Sequence, residues 1–240
     1  MFLRNMGEVG FYTKRTNWLK YLHEGNLNFK SKIYIKKLSK IINDQSTFNS
    51  FKYWILWRWI NKNFEFSESF VNSLRKNIKK LDLNIDSKEE NFLYQLDELI
   101  FNAWRPLKEL PVRFQLDKKE KINLLQTEIN VHKMIDLKNT KLKMIGKFDA
   151  YFSSKSIYLT DEKQVIKYEI IYDQIIDIKT KRYGVLIETV KTNYLFRGRN
   201  RLLTYVILQR MLPRLKLDIS KIINLYDYFD FWNSFFSKIN

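Results

Sequence analysis

The sequence predicts an α+β protein with three parts: a helical region over residues 1–110, a bent antiparallel sheet closed by a C-terminal helix over 111–213, and a short aromatic helical tail over 214–240. Three observations carry this reading. Apolar residues recur at helical spacing before Pro111 and at alternate positions after it. From residue 125 to 196, short β-rich runs follow one another between polar turns. A last helical stretch, 200–212, then stops at Pro213.

In the helical region, Ser67 precedes Phe70, Leu74, Ile78 and Leu81, an apolar stripe one helical turn apart. Ser87 and Glu90 have the spacing of a capping box ahead of Leu93, Leu96, Leu99, Ile100 and Ala103. Residues 47–62 and roughly 31–43 read as two further helices. The run 53–60 is too short for the roughly 20 residues a membrane span needs, and Arg58 interrupts it. It therefore reads as a buried helix, with an interfacial helix as the alternative. Trp54 and Trp57 should share a face and Trp59 should turn away from Trp57, because three exposed indoles would form an adhesive patch. The stretch 104–111 holds two of the three prolines and is the expected hinge between the halves.

After Pro111, Leu125, Thr127, Ile129 and Val131 are expected on one face of a strand. The runs 146–152, 157–159, 165–170, 175–178, 185–187 and 194–196 continue the pattern. The tail, 219–239, is rich in Ile, Tyr, Phe and Trp. It should pack on the helical region or on a partner chain.

Lysine and arginine number 43 against 26 acids, a formal net charge of +17 shared by both halves. Such an excess favours anionic partners: nucleic acid, acidic lipid or an acidic protein face. Genome composition is a competing source of the lysine. Lys, Asn, Ile, Phe and Tyr are AT-rich-codon residues, as in a compact mollicute-like bacterial genome. The chain has no cysteine, which excludes disulfides, zinc–thiolate sites and thiol nucleophiles. The start, MFLRNMGEVGFY, lacks the apolar core of a signal peptide. A cytoplasmic protein is expected, at most peripheral to a membrane, with no transmembrane span.

Catalytic signatures are missing from the sequence. Its two histidines, His23 and His132, lie far apart, and no HxH, HxxxH, DxD or phosphate-cradling glycine loop occurs. Asp161-Glu162-Lys163 reads as a solvated hairpin turn. No enzyme activity, cofactor or metal is expected. One basic constellation stands out. Lys179, Lys181 and Arg182 fall in the turn after one strand, and Arg197, Arg199 and Arg201, with Asn200, fall where the last strand gives way to the helix. These six cations are the candidate site for an anion, a lipid or a partner. Gly198 would let the backbone approach a ligand. The neighbouring Tyr183, Tyr194 and Phe196 read as core. Arg201, in a first helical turn, calls for an acid or an anionic ligand. Asp173 and Asp177 are the candidates for a purely structural pairing.

Residues 114–212, under half of the chain, resemble the bacterial PH-like and GRAM domains in the order of their parts. The opening is Leu116-Asp117-Lys118-Lys119-Glu120-Lys121-Ile122. The core strand and turn are Ile157-Tyr158-Leu159-Thr160-Asp161-Glu162-Lys163-Gln164-Val165-Ile166. The next strand is Tyr172-Asp173-Gln174-Ile175-Ile176-Asp177-Ile178, and Tyr194-Leu195-Phe196 ends the strands before the helix. The glycine that opens the core strand in those domains is missing before Ile157, and Gly146 lies one strand earlier. The resemblance implies a seven-stranded bent sheet with one closing helix, binding lipid head groups or proteins and doing no chemistry. The leading expectation is thus a non-enzymatic adaptor that docks on an acidic membrane surface or a protein partner within a larger assembly. The alternatives are a nucleic-acid-binding protein using its basic surface and a structural subunit of a bacterial multiprotein complex.

Overall fold

The structure, a computed structural model, describes residues 17–117, 119–134, 141–181, 183–198, 200–223, 225 and 238. The chain is α+β and divides into two compact units, Met1–Asp97 with Phe229–Asn240, and Glu98–Tyr228. The division falls inside a helix, upstream of the proline-bearing stretch 104–111. Among the described residues no helix is long and apolar enough to cross a membrane.

The helical unit contains α1 (Asn17–His23), α2 (Ser31–Leu38), α3 (Gln45–Asn63), α4 (Glu68–Leu81) and the first part of α5 (Ser87–Trp104). Side-chain caps set the starts. Asp44 accepts from the Thr47 N–H at 2.6 Å, and Ser67 accepts from the Phe70 N–H at 3.2 Å. The capping box of α5 lies one residue earlier than Ser87 and Glu90. Asp86 Oδ1 accepts from the N–H groups of Lys88 and Glu89 at 2.9 and 3.0 Å, and Glu89 Oε2 accepts from the Asp86 N–H at 2.8 Å. A carboxylate serves both donors at once, so Asp86 takes the cap and Ser87 becomes the first helical residue. Leu22, Phe51, Ile55, Leu74 and Leu96 are almost wholly buried in the core of this unit. The indoles fall as expected. Trp54 and Trp57 touch, with ring centroids 4.7 Å apart, while Trp59 stacks on Phe70, and all three are half-buried.

The second unit holds β1 (Ile122–Met134), β2 (Leu142–Ser153), β3 (Ser156–Thr160), β4 (Ile166–Ile171), β5 (Ile175–Lys181), β6 (Gly184–Thr189) and β7 (Asn193–Arg197), then α6 (Arg201–Met211). They form one sheet in the order β4-β3-β2-β1-β7-β6-β5, antiparallel throughout. Its inner face presents Val131, Phe152, Ile157, Leu159, Val185 and Ile187. Leu202, Leu203, Val206 and Ile207 of α6 are buried with them.

The expectation that Leu125, Thr127, Ile129 and Val131 share a face is corrected by a bulge. Glu128 is in the left-handed region at φ 59°, and the pairing with β2 slips between Gln126 and Ile129. The extra residue switches the alternation, so Leu124 is buried with Ile129 and Val131 while Leu125 and Thr127 are exposed. The Glu128 N–H, lost to the ladder, donates to Asp149 Oδ1 at 3.0 Å.

The stretch leading into the sheet, from Leu110 on, packs on its outer face. Leu110 N–H donates to the Ile122 carbonyl at 2.8 Å. Leu110, Val112, Phe114 and Leu116 cover Ile122, Tyr151 and Tyr158 on the outer face of the sheet. Beyond α6 come 3-10 turns at Pro213–Leu215 and Ile219–Lys221 and a buried Leu225. The expected helical tail otherwise lies outside the described residues.

Candidate functional site

Strand β6 lies between β5 and β7, so the β5–β6 turn and the end of β7 meet at one end of the sheet. Lys181 pairs with Gly184 across the turn. A side chain at position 184 would begin 2.3 Å from the Phe196 carbonyl oxygen, which only glycine avoids. Arg197 lays its stem over Gly184, its Cγ 3.2 Å from where a Cβ would stand. The Arg197 guanidinium lies 5.8 Å from the ring centroid of Tyr183. Lys181, Tyr183 and Arg197 are all exposed. Tyr183 is thus a surface residue, whereas Tyr194 and Phe196 are core.

Of the six predicted cations, the structure brings Lys181 and Arg197 together and sets Lys179 apart. Lys179 Nζ is 2.9 Å from Glu188 and 3.2 Å from Asp177, and the hydrogen bonds to Glu188 and then Asp177 raise its pKa. Its charge is met inside the chain. Lys181 and Arg197 form no ion pair among the described residues. Arg182 and Arg199 lie outside the described residues. Arg201 opens α6 and is half-buried.

The start of α6 brings in an acid from a distant element, Glu98. Asn200 caps the helix by accepting from the Leu203 N–H at 3.1 Å, and its amide donates to Glu98 Oε2 at 3.1 Å. Burial raises the Glu98 pKa, against the Asn200 bond, which lowers it. Glu98 comes from α5, about a hundred residues away, so nearness in sequence could not find it. A Cβ at Gly198 would meet the Ile129 side chain at 3.3 Å.

A buried polar group that the sequence did not reveal as a cluster supports the same unit. Glu120 accepts from the Ser153 hydroxyl and, at 2.9 Å, from the Tyr158 hydroxyl. Ser153 Oγ also accepts from the N–H groups of Lys155 and Ser156, which fastens the β2–β3 turn. Burial, with the Glu120 hydrogen bond and charge adding, pushes the Tyr158 phenol well above its usual range. It stays neutral and donates, so the arrangement is a clamp and not an acid–base pair. Glu120→Ala should cost about 1–3 kcal/mol by leaving the buried Tyr158 hydroxyl without its acceptor, while the Ser153 hydroxyl can turn to the Ser156 carbonyl. Urea denaturation checks this, and an unchanged midpoint would show that Glu120 holds nothing.

His23 and His132 belong to different units. Among the described residues no three histidine, aspartate or glutamate side chains stand together as a metal would need.

A seven-stranded antiparallel sheet in this order with one helix after the last strand is a PH-like fold. No family model and no curated protein matches the chain. Among solved structures it is similar to the N-terminal PH domain of Vps36, at 10% identity and a TM-score of 0.34, over 48% of this chain and 95% of that one. It is also similar to Vav1, in a structure with an allosteric inhibitor, at 9% identity and a TM-score of 0.32, over 91% of this chain and 68% of that one.

Proposed function

We propose that the chain is a non-enzymatic interaction protein whose PH-like unit docks on an anionic partner, an acidic membrane surface or an acidic protein face, within a larger assembly. The GRAM-like bacterial subgroup and a cytoplasmic, membrane-peripheral setting belong to this reading. The observation that carries it is the exposed pair Lys181 and Arg197, held at one end of the sheet without a carboxylate partner among the described residues while Lys179 nearby has two. Exposed cations left uncompensated gain from an anionic ligand what an internal ion pair would otherwise supply. Arg182 and Arg199 add to the same stretch by sequence.

The test is a charge reversal, Lys181→Glu with Arg197→Glu, in the full chain. The variant should fold as the wild type does, because both side chains are exposed. It should lose binding to vesicles containing acidic lipid, or to acidic protein in a pull-down with identified partners, by about tenfold or more. Equal binding by variant and wild type would remove this face from the function. Loss confined to duplex DNA or RNA would favour the nucleic-acid reading instead.

A further inference from the structure

Between Glu24 and Asp44 the chain carries five lysines, Lys30, Lys32, Lys36, Lys37 and Lys40, and no acid. All five are exposed, and none is in an ion pair among the described residues. Helix α2 turns Ser31 and Leu38 inward, which leaves the opposite side to water. On that side Ile33 has Lys36 and Lys37 as its neighbours one turn on, and Lys32 sits one turn before Lys36. Apolar side chains stand among the charges: Phe29 is 81% exposed, Ile33 60% and Ile41 44%.

Neither feature favours the helical unit by itself. Lysines at i and i+4 repel each other, and a largely exposed phenylalanine gains nothing from water. Both gain at an acidic bilayer. The ammonium groups meet lipid phosphates and carboxylates, and Phe29, Ile33 and Ile41 enter the boundary between head groups and acyl chains. A polynucleotide would satisfy the charges but offers little to isoleucine. The segment also has no arginine to grip phosphates in pairs. We infer that α2 and its flanking turns form a second docking surface, fitted to an anionic lipid bilayer and separate from the sheet-end cations of the PH-like unit.

The experiment is flotation of the full chain with vesicles of phosphatidylcholine alone or with added phosphatidylserine. Wild type should float with the acidic vesicles only. Lys32→Glu with Lys36→Glu and Lys37→Glu should weaken flotation about tenfold or more. Phe29→Ala with Ile33→Ser keeps the charge, so it should leave low-salt binding but lose what survives at high salt. Circular dichroism should be unchanged for both variants, since every altered side chain is exposed. The reversal at Lys181 and Arg197 separates the two surfaces: under the present inference it leaves part of the acidic-vesicle binding, and that remainder disappears when the α2 lysines are reversed as well. The inference is overturned if the lysine variant floats as wild type does, if phosphatidylcholine alone floats the protein equally, or if the α2 substitutions weaken only binding to duplex DNA.

Discussion

Replacing Lys238 with methionine should destabilise the helical unit by about 3–5 kcal/mol, the usual cost of leaving a buried charge without its partner. The Lys238 ammonium is 2.8 Å from Glu89 Oε2, 2.9 Å from Asp86 Oδ2 and 3.3 Å from the Tyr53 hydroxyl. Glu89 is 1% exposed, and among the described residues its formal charge is otherwise met only by the Asp86 N–H. The substitution leaves two carboxylates side by side at the start of α5, one of them out of water. Urea denaturation followed by tryptophan fluorescence reads the loss, since Trp54, Trp57 and Trp59 lie in this unit. Glu89→Gln in the same background should restore much of it, because it removes the buried charge. A loss below about 1 kcal/mol would reduce the contact to an ordinary surface pair.

The same contact has a pH signature. The hydrogen bond from Lys238, then that from the Glu89 N–H, lowers the Asp86 carboxyl from its ordinary 3.8 to about 2. A carboxyl depressed in the folded state stabilises it above the unfolded value, and that contribution is lost as pH falls through the folded value. Wild type should therefore lose stability between pH 3.8 and about 2. Without Lys238 the Asp86 value moves back toward the unfolded one, and the slope in that window should flatten. Equal slopes in both proteins would show that Lys238 does not hold Asp86.

The change of apolar period at Pro111 made the α+β order and the closing helix legible, because burial on one face imposes a repeat on sequence regardless of partners. What escaped was decided by groups meeting from distant positions. Asp86 displaced Ser87 as the cap because a carboxylate accepts two N–H groups and because Glu89 and Lys238 meet it there. The bulge at Glu128 has no glycine or proline to announce it, and it reversed the expected face of Leu125 and Thr127. At the candidate site, the sequence pointed to one end of the sheet but could not separate Lys179 from Lys181. Two positions along a strand, one lysine reaches Glu188 and Asp177 and the other does not. The lysines of α2 drew no notice as a surface, since their exposure depends on which side of a short helix packs inward.

Gly25→Ala is expected to cost the helical unit about 3 kcal/mol or more, a large share of a typical domain's stability. Gly25 follows α1 and closes it. Its N–H donates to the Leu22 carbonyl at 2.9 Å, and the Asn26 N–H donates to the Tyr21 carbonyl at 3.2 Å. That pair of bonds needs a left-handed residue, and Gly25 has φ +73°. An alanine there carries roughly 1–2 kcal/mol of conformational cost. The larger part is steric. A Cβ at Gly25 would stand 2.4 Å from the Trp59 backbone nitrogen and 2.7 Å from the Arg58 backbone carbon. Those atoms are inside α3 and cannot rotate away as a side chain would. Relief therefore requires α1 and α3 to separate, which loosens the packing of Leu19 and Leu22, both buried. Thermal and urea unfolding should both show the loss, with Trp59 fluorescence shifting as its stack on Phe70 is disturbed. If alanine costs only the 1–2 kcal/mol of its backbone conformation, α3 has room to yield, and the close approach of the two helices is not what selects glycine here.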